Sequence, residues 1–507
     1  MKTPPAGLRN AMQQAADADA RLTAEVSPPD WTNPRPRDRY DLVVMGGGTA
    51  GLVSAAGAAG LGARVALIER HRLGGDCLNT GCVPSKALLR SARAIGELRR
   101  APELGIAVRG VTPDFSMVMA RVRERRAHLA VNDSAARFRG LGVDVFFGDA
   151  RFSSANAVDV DGGTLRFNRA VIATGGRATA PPVPGLDPGT YLTNETIFDL
   201  TELPRRLGVI GAGPIGCELA QAFARFGSEV TVFDQAERIL PREDAEAAAV
   251  VAHSLERDGV RLELGVKIDA VESAGIEASG AARRIRFSRA GESSTRQVDT
   301  ILVAAGRAPN IEGLNLDAAG VVADKNGIVV DDRLQTANRR IYAAGDVCST
   351  YKFTHAADAL ARIVIQNALF FGRRRASALV IPWVTYTDPE LAQVGVTAGT
   401  PGVETITIEL RDVDRAVLDD EEDGFVRVHH QRGRIAGCTI VAAHAGELLA
   451  EAVYAMTHGG TLADLSSTLH SYPTQADALR RAGDAYQRTR LTPALRRWMG
   501  RYFEWTR

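Results

Sequence analysis

The 507-residue sequence predicts an α/β protein, and three observations predict it. One strand–turn–helix–strand pattern occurs twice, at residues 40–70 and 207–235. Each copy has Gly-x-Gly-x-x-Gly at its turn and an acidic residue at the end of its second strand. Fifty glycines, in a chain of ordinary globular composition, suit a backbone that makes many close approaches. The length is too great for one core and suggests roughly three domains.

In the first copy, "YDLVVMGGGTAGLVSAAGAAGLGARVALIER", Leu42 to Met45 read as a buried strand, and "ARVALIE" as a second strand ending at Glu69. Gly46 makes the tight turn. Gly48 lets the backbone approach a pyrophosphate, and Gly51 lets helix and strand pack closely. The helix N-terminus offers free N–H groups to phosphates, and Glu69 can accept from ribose hydroxyls. The second copy repeats this with Gly211, Gly213 and Gly216, and its strand ends at Asp234. An acid there hydrogen-bonds an unphosphorylated ribose and repels a 2′-phosphate, which predicts NAD. Arg238, four residues on, softens that preference and keeps NADP open. Two such sites in one chain predict a flavin, FAD, and a nicotinamide, with hydride passing between them.

A net charge of +1 gives no reason to expect nucleic acid as a partner. Five cysteines, an odd number, do not make a secreted disulfide framework. The opening "MKTPPAGLRNAMQQAADADARL" has no apolar run of a secretion signal. Residues 42–63 carry no charge and superficially fit a membrane span, but seven glycines and a turn motif interrupt them. These features predict a cytoplasmic protein with reduced thiols.

"GGDCLNTGCVPSKALL", residues 74–89, holds Cys77 and Cys82 four residues apart. Gly81 and Pro84 suit a helix start, and a thiol at a helix N-terminus has a lowered pKa. Zinc would need four soft ligands, commonly as two short pairs, and the sequence has no second pair, so no metal site is predicted. The remaining readings are a redox pair or two inert thiols.

Further motifs follow: "VIATGG" (171–176), "VAAGRAPN" (303–310), "IYAAGDV" (341–347) and "TYTDPELAQVGVT" (385–397). With them, residues 40–485 resemble the pyridine nucleotide–disulfide oxidoreductases, which include lipoamide dehydrogenase, glutathione reductase and mercuric reductase. The resemblance implies two Rossmann-like domains, for FAD and NAD(P), and a C-terminal α+β dimerisation domain. It divides the chain into an extension (1–39), an FAD domain (40–185 and 308–376), an NAD(P) domain (186–307), the dimerisation domain (377–487) and a basic aromatic tail (488–507). It assigns FAD to Gly46, Gly48, Gly51, Glu69, Lys86 and Asp346, the last reaching the ribityl chain. Gly175 and Gly306, in their motifs, join the cofactor-binding set. Lys86 would sit by the flavin ring, paired with Glu218. The implied protein is a homodimer whose active site is shared between subunits. Hydride from NADH would pass through FAD to a Cys77–Cys82 disulfide, with Cys82 as the charge-transfer thiolate and Cys77 as the attacking one.

Disulfide-reducing members end in His-Pro-Thr-x-x-Glu, whose His is the acid–base for the outer thiol. Here "LHSYPTQAD" (469–477) has Tyr472 in place of that His and Asp477 in place of the Glu. A positioned imidazole contributes roughly 10²–10⁴-fold. A phenol with a pKa of about 10 is poorly matched to neutral pH. A thiophilic metal ion needs thiolates and no proton on leaving. Mercuric reductases likewise carry a Tyr at this place, and "ELAQAFARFG" (218–227) also looks like theirs. Their Cys-bearing N-terminal domain and vicinal C-terminal cysteines are absent from the sequence, and Asp234 departs from their NADPH preference. The expectation is a mercuric-reductase-like branch that reduces a metal ion such as Hg(II), or a thiol-linked substrate. The alternatives are a dihydrolipoyl dehydrogenase using His470, which shares a face with Tyr472 on extended backbone, and a redox-responsive flavin-binding protein with little turnover.

Smaller features complete the reading. Residues 120–140 read as a solvated basic helix face. The tail, with six Arg and four aromatics, could touch an anionic membrane. The preferred reading docks it on the dimerisation domain, because Trp498 and Trp505 need cover. Cys217, Cys348 and Cys438 read as buried and inert, and His355 as a structural residue of the flavin domain.

Overall fold

The computed structural model describes residues 6–277 and 280–507. The chain forms two units: Met1–Phe233 with Val266–Leu379, and Asp234–Gly265 with Val380–Arg507.

In the first unit, the Val/Leu-rich strand Tyr40–Met45 lies at the centre of a parallel sheet. Val65–Glu69 and Gly163–Ile172 flank it, with Leu42 opposite Val65 and Val43 opposite Ala170. Val143–Phe147 extends one side, and Ile341–Ala343 pairs in parallel with Gly163–Ile172 on the other. Burial on both faces explains the continuous apolar runs. The uncharged stretch 42–63 is therefore a strand, a turn and the Ala/Gly helix Thr49–Gly60, whose small side chains allow close packing. Among the described residues no helix is long and apolar enough to cross a membrane. The second nucleotide pattern forms Arg206–Ile210 between Glu229–Phe233 and Thr300–Val303, all parallel. Three antiparallel strands, Lys267–Glu277, Gly280–Arg289 and Glu292–Val298, follow it.

Residues 6–39 of the extension have an order their polar composition hid. Helix Ala6–Val26 buries Ala18, Leu22 and Val26, one stripe at four-residue spacing, in the same core as Leu42 and Val44. Trp31 Nε1 donates to Val145 O (3.2 Å). Asn33 both donates to Phe147 O and accepts from Phe147 N, each at 2.8 Å. The extension thus covers a sheet edge that would otherwise present unpaired backbone. The basic stretch 120–140 is corrected too: Arg123 and Arg126 are buried. Asp19 of the extension pairs with both, at 3.3 and 2.8 Å. Cations so placed need such a partner.

The second unit contains a five-stranded antiparallel sheet in the order Pro382–Thr385, Glu390–Gly395, Arg434–Ala442, Phe425–Gln431, Glu404–Glu409. Helices Ala445–Thr457 and Asp477–Thr489 contribute Ala445, Leu449, Ala478 and Leu479 to its core. Against expectation the tail is not docked: helix Pro493–Trp505 buries no residue, and Trp498 and Trp505 stay 62% and 83% exposed.

Candidate active site

The two glycine turns are built alike. Gly46 and Gly211 adopt φ of +107° and +111°, which disfavours any side chain. A Cβ on Gly46 would lie 2.3 Å from Ala173 O, and one on Gly211 2.6 Å from Ala304 O. On Gly51 and Gly216 it would come within 1.8 and 1.9 Å of the carbonyls of Gly46 and Gly211. The middle glycines differ. Gly48 would meet only Gly75 Cα at 3.6 Å, and Gly213 nothing within 4 Å. Each stands at a helix N-cap without a side-chain cap, in nearly the same backbone conformation. The fold itself requires the first and third glycines. The second leaves room above bare helix N–H groups, which is the cradle a dinucleotide pyrophosphate fits.

Around the first turn, Glu69 accepts from Gly47 N (2.6 Å) and His71 N (2.8 Å). Asp346 follows Gly345, which approaches Ala50 closely. Burial pushes the Asp346 carboxyl up, opposed by Arg307 and Lys352. Gly175, at φ +71°, accepts from Asn310 N (2.9 Å), and Gly306 accepts from Thr179 N (3.1 Å). Lys86 Nζ lies 3.0 Å from the buried Glu218 carboxylate.

The cysteine segment is joined to the first turn. Gly74 N donates to Gly47 O (2.9 Å), and a Cβ on Gly75 would lie 2.6 Å from Gly48 Cα. This explains the Gly pair before Asp76. Cys77 lies in the short helix Gly75–Asn79, and Cys82 is the first residue of helix Cys82–Arg100. A hydrogen bond from Cys77 holds Cys82 down to about 6, against the cost of burial, with help from Thr354 and Lys86. Thr354 Oγ1 lies 3.4 Å from Cys82 Sγ. The same hydrogen bond and burial raise Cys77. In the dithiol, the charge rests on Cys82 and the proton on Cys77. Asp76 holds Thr80 (2.6 Å), Asn194 (3.0 Å) and Arg307 (2.9 Å). Arg126 donates to Asn79 O (3.0 Å) and to Asp19, so the N-terminal helix braces the end of the Cys77 helix.

The second unit holds the other candidates. Tyr472 is 72% exposed and donates to Asp414 Oδ2 (2.8 Å), which raises its pKa. Asp477 accepts from Arg480 (2.8 Å) and Arg481 (2.6 Å). Arg481 also reaches Asp414 (3.1 Å), so Tyr472 and Asp477 are linked through Arg481 and Asp414. His470 Nδ1 lies 3.0 Å from Thr468 O, and Nε2 lies 3.0 Å from both Glu451 oxygens. Acceptors face both nitrogens, so neither is turned toward a substrate. Asp234 accepts from Ala236 N (2.8 Å). The Arg238 guanidinium is spent on the carbonyls of Leu240, Pro241 and Glu243.

Thr354, Asp414, Glu451 and Arg481 are parts that sequence reasoning missed. An i,i+4 spacing from Asp477 to Arg481 was a usable signal for one of them. Of the other cysteines, Cys217 and Cys438 are buried and Cys348 is partly so. Burial pushes Cys438 and Cys348 up to about 12. His355 stacks on Phe353 at 5.5 Å. Among the described residues no group of three or more His, Cys, Asp or Glu could hold a metal ion.

Two matched dinucleotide turns and a dithiol that keeps one thiolate define a nucleotide-dependent dithiol oxidoreductase. The chain matches the pyridine nucleotide-disulphide oxidoreductase model at residues 40–361 and that family's dimerisation-domain model at 381–482. It belongs to that family, whose members use FAD and NAD(P)H. It is 36% identical over 453 residues to a mercuric reductase of Lysinibacillus sphaericus, covering 88% of this chain and 82% of that one. It is 31% identical over 465 residues to a dihydrolipoyl dehydrogenase of Bacillus subtilis (strain 168), covering 87% and 97%. Similar solved structures include LpdA from Mycobacterium tuberculosis, with TM-score 0.79, 29% identity and coverage of 88% and 99%. The Cu(II) complex of the HOCl-induced flavoprotein disulfide reductase RclA from Escherichia coli gives 0.76, 27%, and 89% and 100%.

Proposed function

We propose that this protein uses the Cys77/Cys82 dithiol to reduce a thiophilic metal ion such as Hg(II), with NADH as the electron source. FAD, when bound, supplies two-electron transfer between the nicotinamide and the cysteine pair. The residues proposed to hold it are Gly46, Gly48, Gly51, Glu69, Lys86, Gly175 and Asp346. Those proposed for the nicotinamide dinucleotide are Gly211, Gly213, Gly216, Asp234 and Gly306. Asp234 and the engagement of Arg238 with backbone carbonyls favour NAD over NADP. Lys86, paired with Glu218, holds positive charge toward Cys82. Cys82 keeps the thiolate, and Cys77 meets the substrate once its proton has left. One hydride carries the two electrons that convert Hg(II) to Hg(0), leaving NAD⁺ and a proton.

The observation that carries the choice of acceptor is Tyr472. By the family motif it stands where disulfide-reducing members carry the acid–base His, and its hydrogen bond to Asp414 raises its pKa further from neutrality. Reducing a disulfide requires a proton for the leaving thiolate, whereas a metal ion requires none. The similarity to mercuric reductases and to a flavoprotein that binds Cu(II) supports the same reading. We further propose a cytoplasmic homodimer in which segment 469–477 of one subunit serves the cysteines of the other. The exposure of Tyr454, Leu469 and Tyr472 supports a subunit contact on this unit.

The test is NADH consumption by the FAD-loaded protein with Hg(II), Cu(II), lipoamide and glutathione disulfide. Turnover with a metal ion, and little with either disulfide, is expected. Similarity to dihydrolipoyl dehydrogenases supports a second reading, through His470. Fast lipoamide turnover, lost in His470→Gln, would establish it. Absence of a thiolate-to-flavin charge-transfer band after NADH addition would instead favour a flavin-binding protein with little turnover.

A further inference from the structure

Helix Pro493–Trp505 lies beyond the residues matched by the family's dimerisation model, so the family fold does not account for it. Leu495, Trp498, Tyr502 and Trp505 recur at three- and four-residue spacing and form one stripe, while Phe503 lies off it on the side of Arg496. All five are exposed, and Trp498 and Tyr502 stack at 6.2 Å. Arg501 flanks the stripe beside Trp505, and Arg496 and Arg497 lie further round the helix. Residues 488–507 carry six Arg against one Glu, while the whole chain is only +1. The rest of the protein is therefore net negative, while this segment carries a net positive charge.

From this arrangement we infer that the C-terminal helix is a peripheral anchor for an anionic lipid surface. Aromatic rings with polar tips suit the headgroup–acyl boundary, and arginines snorkel to lipid phosphates while their stems cover apolar surface. Thirteen residues of helix reach roughly 20 Å, short of a roughly 30 Å hydrocarbon core, so the helix lies on the surface rather than crossing it. Pairing with the same helix of a second copy would set one arginine-rich segment against another. An anionic surface can take the aromatic stripe together with the arginine that flanks it, while the other arginines snorkel toward the phosphates.

The test uses the full-length FAD-loaded protein and two kinds of vesicle. One is phosphatidylcholine alone, and the other contains about 30% phosphatidylglycerol, with sedimentation and tryptophan fluorescence as readouts. Binding is expected only to the anionic vesicles, with a blue-shifted emission, and is expected to weaken in roughly 0.5 M salt. Arg496→Glu/Arg497→Glu/Arg501→Glu should weaken binding by at least roughly tenfold. Trp498→Ala/Trp505→Ala should weaken it similarly and abolish the blue shift. Both variants should keep NADH turnover in vesicle-free buffer. Failure to bind anionic vesicles, or equal binding by parent and variants, overturns the inference. So does dissociation of the Trp variant into monomers, which would show the face to be covered by a second copy.

Discussion

The cysteine segment and segment 469–477 belong to one catalytic design in this family, yet here they contrast. Around Cys82, the Cys77 hydrogen bond, Thr354, Lys86 and the helix N-terminus keep a thiolate, and together they outweigh burial and the charge of Asp76. In segment 469–477, every group able to move a proton is engaged elsewhere. Tyr472 is bound to Asp414, His470 to Glu451 and Thr468, and Asp477 to two arginines. In the proposed reading, electron delivery and proton delivery belong to different stretches of chain. A soft metal ion needs only the first, which is why the difference bears on the acceptor.

The comparison breaks most completely at the thiols. Cys77→Ala should lower metal-ion turnover by more than roughly 10³-fold, as removal of a catalytic nucleophile does. Flavin reduction by NADH, followed in a stopped-flow spectrometer, should survive. Restoring the proton half should have the next largest effect. Tyr472→His/Asp477→Glu should raise lipoamide reduction by roughly 10²-fold, while Tyr472→His alone should give less, because Asp477 stays tied to Arg480 and Arg481. Steady-state rates for both substrates would show it.

The thiolate half has a pH signature. Because the Cys82 pKa is depressed, to about 6, its thiolate persists at neutral pH and is lost only as pH falls through that value. The charge-transfer absorbance of the NADH-reduced protein should titrate accordingly. Lys86→Met should move the midpoint up by roughly one unit. The smallest effect concerns what braces the cysteine segment. Asp19→Ala frees Arg123 and Arg126, and should cost about 1 kcal/mol in urea unfolding, since Asp19 is itself half-exposed.

What was legible in the sequence is what periodicity and glycine spacing encode. The glycines of both turns, and the order of strand, turn and helix around them, could be read because each has a local steric cause. The extension at 6–33 was not legible as structure. Among its described side chains the buried stripe is Ala18, Leu22 and Val26, and its anchors, Trp31 and Asn33, bond to a strand more than a hundred residues away. For the same reason Arg123 and Arg126 looked like a solvated face, because their partner Asp19 is equally distant in sequence. In the candidate site, Cys77, Cys82 and Tyr472 announced themselves by motif. Thr354, Glu451 and Asp414 did not, since single polar residues become partners only through tertiary contact. The tail's pattern was visible, but its exposure depends on what the rest of the fold leaves uncovered.

The acceptor is tested most directly by kcat/KM for Hg(II) and for lipoamide in one preparation of the FAD-loaded protein, with NADH saturating. A ratio favouring Hg(II) by at least roughly 10²-fold is predicted, the contribution of the imidazole that Tyr472 replaces. A ratio favouring lipoamide, with turnover in the ordinary enzyme range of about 1–10³ s⁻¹, would contradict it.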